Sequence, residues 1–241
     1  MNHPTTRRFV CFLLAALMAF SLCGCSASAP KITTQEEFES AMAQQLDLTL
    51  YTYDAEYAAY DLNDASGSSE VLDFTVEFQS ADPISLPLVF ADLEAAGWTV
   101  AEKSIHPFYD TYVNSKGEAV VLGLTSMPLM MDILGNYLII ETHTEKMQQD
   151  FSYRLERADN VPQFIIAGEI TNKSTMTDVI STLGNPWKMT FDSEYGVAGV
   201  PAVEFFYGVR VDQVYRGGLT LTFSGETGEI LQVYYCYLQA G

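Results

Sequence analysis

Few residues in this chain are equipped for chemistry, and their spacing argues against a catalytic or metal-binding set. There are three histidines. His106 precedes Pro107 in a loop-like stretch, and His143 alternates with Glu141 at the end of a strand-like run. Glu141 and His143 would share one face of that strand, but two ligands without a third do not hold a metal, so a solvated strand end is expected. No His-x-x-x-His, Glu-x-x-His or Cys-x-x-Cys spacing occurs, and there is no Gly-x-Ser-x-Gly, Walker loop or dinucleotide fingerprint. Acids are abundant, but with 31 Asp and Glu any chosen glycosidase pair is uninformative. The acids of Asp61–Ser69 imitate a calcium loop poorly: Ala65 occupies a ligand position, Gly67 comes one place late, and no Glu closes it. The expectation is therefore no catalytic residue, no cofactor and no metal.

One cysteine is placed for covalent chemistry of another kind. Met1–Arg8 carries only positive charge, and Phe9–Leu22 is apolar, too short for an ordinary span and the right length for a leader's hydrophobic core. Leu22-Cys23-Gly24-Cys25 follows, and these four residues resemble the bacterial lipobox. The resemblance implies cleavage after Gly24, with Cys25 as the lipid-modified N-terminus and its lipid as the membrane contact. The competing reading is an ordinary secretory leader cut near Ser26-Ala27-Ser28-Ala29. Arg7-Arg8 suits a plain positive leader better than twin-arginine export, because Thr6 and Phe9 do not fit that pattern.

Charge narrows the partners. Twelve bases against 31 acids give a net charge of −19, and loss of residues 1–24 with Arg7 and Arg8 takes it to −21. Nucleic acid and polybasic adsorption to lipid are both excluded on that sign. Cys11 and Cys23 leave with the leader and Cys25 is lipidated, so Cys236 remains alone and no internal disulfide can form. Inside Val233–Leu238 it reads as a buried, inert thiol.

The elements that would position these residues fall into two stretches after a small, flexible tether over 25–33. Thr34 and Glu37 look like a capping box opening a helix over 34–46, with Phe38, Met42 and Leu46 on one face. Leu48–Tyr60 has no clean period. Its Tyr51, Tyr53, Tyr57 and Tyr60 fit either core filling or a binding face. Val71–Phe78 alternates as a strand; Leu88–Ala96 reads as a helix closed by Gly97. Strands follow from Trp98, at Phe108–Val113, Ala119–Leu124 and Tyr137–Thr142. Met127–Met131 opens an apolar segment reaching Leu134, read as a packed loop in preference to a soft-metal or promiscuous binding surface. The second stretch repeats the order. Phe164–Ile166 and Gly168–Thr171 precede a helix capped by Ser174 or Thr175, with Met176, Val179, Ile180 and Leu183 on its apolar face and Thr182 off it. Gly184 and Pro186 end it, and strands follow at Trp187–Phe191, Val203–Tyr207, Leu219–Phe223 and Ile230–Leu238. The exits Gly97-Trp98 and Gly184–Trp187 lie about ninety residues apart, as a tandem repeat would place them.

The Met-Thr-x-x-Val and Leu-Gly-x-Pro elements of Thr175–Pro186, with Tyr207-Gly208 and the Phe223…Gly228…Ile230 hairpin, resemble the BamE/OmlA-type small lipoproteins. They are also similar to the repeat unit of the β-lactamase inhibitor proteins. Residues 84–98 resemble the N-terminal half of exported lipoproteins from Gram-positive gut bacteria. The resemblances imply a fold and no catalytic residues, since their motifs are caps, turns and core positions.

The expected protein is thus α+β: leader 1–24, tether 25–33, an α+β unit over 34–160 and a BamE/inhibitor-like unit over 161–241, each an antiparallel sheet with a helix on one face. Its expected role is that of a lipid-anchored protein on the outer face of the bacterial cell membrane, not an enzyme, binding an envelope or extracellular protein. The alternatives are an envelope assembly factor or a carboxylate-based hydrolase. Lipidation is directly testable. Cys25→Ser should abolish incorporation of labelled fatty acid and either release the protein or stall the precursor; unchanged labelling and retention would refute the lipobox reading.

Overall fold

A computed structural model describes residues 31–64, 75–79, 81–86, 90–102, 109–113, 115, 119–125, 134–141, 163–195, 199–211 and 214–239. Cys25 and the rest of 1–30, His106, His143 and Met127–Met131 lie outside the described residues. Lys31–Gly241 form one compact unit. It is α+β, mostly antiparallel sheet, with few helices.

Helix α1 is Gln35–Ala43. Thr34 caps it by accepting from Glu37 N, but the Glu37 carboxylate reaches past Thr34 to Thr33, accepting from its N at 2.7 Å and Oγ1 at 2.9 Å. Those bonds, the Thr33 backbone bond foremost, hold the Glu37 carboxyl below its ordinary range. The capping box is complete at α3, Met176–Leu183: Thr175 N donates to Asp178 at 2.8 Å while Thr175 Oγ1 accepts from Asp178 N. Thr175 is thus the cap, and Ser174 turns back to accept from Thr171 N. Between them in sequence lies the short α2, Phe90–Ala95. Gly97 and Gly184 leave α2 and α3 at φ 88° and 76°, a region that costs any residue with a Cβ.

The aperiodic stretch after α1 is a 3-10 turn at Leu48–Leu50 and a hairpin, β1 (Tyr51–Asp54) and β2 (Ala59–Leu62). Asp61 and Leu62, expected in a loop, therefore pair within a strand. The longer strands are β5 (Thr99–Glu102), β6 (Tyr109–Val113), β7 (Ala119–Thr125), β8 (Leu134–Glu141), β11 (Lys188–Tyr195), β12 (Val200–Val211), β13 (Val214–Ser224) and β14 (Ile230–Gln239). Leu134 thus opens a strand instead of closing an apolar loop. Among the described residues these form a ten-stranded sheet of order β1-β2-β11-β12-β13-β14-β8-β7-β6-β5. A second sheet has the order β10-β9-β3-β4, built from β3 (Thr75–Phe78), β4 (Ile84–Ser85), β9 (Phe164–Ile166) and β10 (Ile170–Thr171). Strands from before and after residue 160 pair directly in both sheets, as β14 with β8, β11 with β2, and β9 with β3.

Alternation assigns the two faces of the large sheet. Met189 and Phe191, Val203, Phe205 and Tyr207, Leu219, Leu221 and Phe223, Val233 and Tyr235 are all 9% exposed or less. Phe38 of α1 packs on this face, its ring 6.0 Å from those of Tyr60 and Phe191. Met176 and Val179 of α3 enter the same core, while Ile180 and Leu183 are only partly buried against it. The 3.6 period of α3 and the two-residue period of the strands thus meet in one apolar layer.

Thr182 lies off the apolar face as its position demands, but its hydroxyl donates to Glu169 at 3.2 Å, so an Asp there would oppose a carboxylate. Exposed Ser181 is the cleaner control. Val179→Asp buries an unpaired charge and should cost about 3 kcal/mol or more, whereas Ser181→Asp should stay within about 0.5 kcal/mol. Equal melting temperatures would contradict the placement of α3.

Candidate functional site

The helix exit at 183–187 is tied to the sheet by groups the sequence motifs contain. Tyr207 OH donates to Gly184 O at 3.2 Å, Tyr51 OH to Pro186 O at 3.1 Å, and Trp187 N to Phe206 O at 2.7 Å. The Trp187 ring lies where a Cβ on residue 208 would stand, so only glycine fits beside Tyr207. The Leu-Gly-x-Pro and Tyr-Gly motifs are therefore two sides of one contact. Burial pushes the Tyr51 phenol up to about 12 and raises that of Tyr207 as well, Tyr51 adding to the latter shift.

With one face of β11–β14 committed to the core, the other carries the polar and aromatic side chains. Cross-strand register arranges them in rows. Lys188, Phe206, Thr220 and Tyr234 stand side by side across β11, β12, β13 and β14, with Asp61 of β2 next to Lys188. The adjacent row is Thr190, Glu204, Thr222 and Gln232. All but Thr222 are half-exposed. Glu204 is the centre of the second row: Oε2 accepts from Thr190 Oγ1 and Oε1 from Thr222 Oγ1, each at 3.2 Å. Tyr195 OH donates to Gln232 at 3.4 Å, and Ala202 and Leu231 pack with Tyr195 and Val200 at one end of the face. Lys188 sends its Nζ to within 5.6 Å of the Tyr57 ring centre.

The four tyrosines of the hairpin divide between the two expectations. Tyr51 is core, Tyr60 is half-buried beneath α1, and Tyr53 and Tyr57 are 43% and 63% exposed. Tyr53 leans on Tyr60 with ring centres 4.8 Å apart. Burial, then the Glu39 carboxylate, push the Tyr60 phenol up to about 12. Cys236 is a free thiol, half-buried where full burial was expected, and burial raises its pKa.

Glu204 is the residue that sequence reading passed over. Its signal was present: a single charge between Val203 and Phe205, on the parity opposite the core, in a strand otherwise apolar from Val200 to Tyr207. Elsewhere, an open cleft of about 490 Å³ is lined by Ala81, Asp82, Ala95, Ala96 and Gly97, with no convergent set of polar groups among the described residues. Among the described residues there is no cluster of three metal-donor side chains, and no helix is long and apolar enough to cross a membrane. No protein-family model matches the chain, and comparison with curated proteins and with solved structures finds no match.

The raised phenols set a pH limit. Their folded pKa values exceed the unfolded value of about 10, so their contribution to stability is intact below that pH and is lost as pH rises from 10 toward 12. Titration with base should therefore unfold the protein within that window, and Tyr51→Phe should move the midpoint upward even where it lowers stability at pH 7. An unmoved midpoint would mean that other groups drive alkaline unfolding.

Proposed function

We propose that the protein is an exported lipoprotein, held by lipid on Cys25 at the outer face of the bacterial cell membrane, that binds an envelope or extracellular protein without catalysis. The observation that carries this reading is the two-faced sheet: one face of β11–β14 is filled by the core, while the other presents Phe206, Tyr234, Thr220, Gln232 and Glu204 half-exposed. Amphipathic aromatics with fixed polar neighbours on a rigid sheet are a recognition surface, since little side-chain entropy is lost when they are covered. The mature end of the chain supports the anchoring. Ile32 is fully buried and its N donates to Gly225 O at 2.6 Å, beside the β13–β14 turn. Six residues lie between it and Cys25, a reach of at most roughly 25 Å at full stretch.

The same reading includes an internal duplication. The order β11-β12-β13-β14 is met at β14 by β8-β7-β6-β5, and β10-β9 is met by β3-β4, as two β-β-α-β-β-β-β units related by a two-fold axis would be. The likeness to BamE/OmlA-type lipoproteins and to the inhibitor repeat rests on the motifs of Thr175–Ile230 and is fold-level support alone.

A photo-crosslinking residue at Thr220, on the open face, should capture one dominant protein on intact cells, and the same residue at Glu36, exposed on α1, should not. Equal capture at both positions, or none at either, would overturn the binding role of this face.

A further inference from the structure

The open face carries a carboxylate prepared for a cation that the described residues do not supply. Glu204 is half-buried, and each of its oxygens accepts a single hydroxyl, from Thr190 on one flank and from Thr222 on the other. These bonds fix the carboxylate plane and leave each oxygen further acceptor capacity. Glu204 meets no cation among the described residues; Lys188, on the same face, lies instead against the Tyr57 ring. In register beside Glu204 are neutral groups, and the next row holds Phe206, with Tyr234 two strands away. Covering a half-buried carboxylate with anything neutral is costly, so whatever docks here is selected for positive charge.

Building on the binding role proposed for this face, we infer that its partner is a polypeptide presenting an arginine, whose guanidinium pairs with both oxygens of Glu204. Arginine fits better than lysine for two reasons. Its fork supplies two parallel N–H donors to two oxygens already held in one plane. Its flat, weakly hydrated group also packs on aromatic rings, which the adjacent row provides. The chain's net charge of −19 has the sign that draws such a partner in from a distance.

The test uses the full chain in detergent micelles and a pair of short peptides alike except for one central arginine or lysine. Binding is measured for the wild type, Glu204→Gln and Asp192→Asn. The second variant removes the same charge from an exposed position on β11 and keeps an acceptor for the Glu194 N–H bond. The arginine peptide should bind about fivefold or more tighter than the lysine peptide, and Glu204→Gln should weaken it about tenfold while Asp192→Asn changes it less than about twofold. Equal losses in the two variants would reduce the effect to general charge attraction and overturn the inference. So would equal affinity for the two peptides, or binding of neither. Should crosslinking from Thr220 still capture its protein in Glu204→Gln with unchanged yield, the face would remain a binding surface and the arginine anchor would fall.

Discussion

Eight consecutive backbone pairs join β14 to β8, from Gln232 opposite Glu141 to Gln239 opposite Leu134. These two strands lie almost a hundred residues apart in sequence, and each ends a four-stranded meander. Unpaired, each would present an open edge of N–H and C=O groups able to recruit other chains, a hazard that sheet proteins cover or charge. Pairing them removes both edges at once. It also makes the strands on either side one sheet, so that the helices need cover only one continuous surface. The β3–β9 pairing does the same for the smaller sheet on a shorter scale.

Once the large sheet is continuous, its alternation dictates the division of labour. Phe38 from α1 and Met176 and Val179 from α3 fill one side, where Phe205 and Phe223 meet edge to face with ring centres 5.2 Å apart. Side chains of opposite parity cannot enter that layer, so Glu204, Phe206 and Tyr234 are displayed by the same constraint that buries Val203, Phe205 and Tyr235. The display is rigid because the strands are held at both flanks. Trp187 on Gly208 and Tyr207 on Gly184 lock the helix exit to β12. Display and stability thus share their supports: Gly208 has the parity of Glu204 and Phe206, so a larger residue there would displace the Trp187 ring on the open side, while a change at Tyr207 would disturb the same helix exit from the core.

Much of this was legible in the sequence because the signals were local. The cap at Ser174 or Thr175, the Met176–Leu183 stripe, Gly97, Gly184 and the Phe223–Ile230 hairpin each act within a few residues, and each marks the element it was read to mark. Pairing between distant strands leaves no such trace, since backbone hydrogen bonds carry no residue identity. The β14–β8 and β9–β3 neighbours were therefore invisible. The β1–β2 hairpin was missed for a different reason. Tyr51, Tyr53 and Tyr60 share a face, but the exposed Tyr53 and the half-buried Tyr60 blur its apolar alternation, and the left-handed Ala58 at φ 47° gives no Gly or Asn to announce the turn. Glu204 was hidden in plain view: one acid among 31 becomes informative only when the register sets Thr190 and Thr222 on either side of it.

The seam between β14 and β8 can be examined with the cysteine the protein already has. Cys236 stands opposite Tyr137, and directly opposed residues of antiparallel strands bring their Cα atoms to about 4.5–5.5 Å, within disulfide range. Under mild oxidation Tyr137→Cys should form an intramolecular disulfide with Cys236 in high yield, whereas Asn136→Cys, one residue out of register and on the other face, should not. Failure of the first to close, or equal closure of both, would contradict the continuous sheet on which both faces depend.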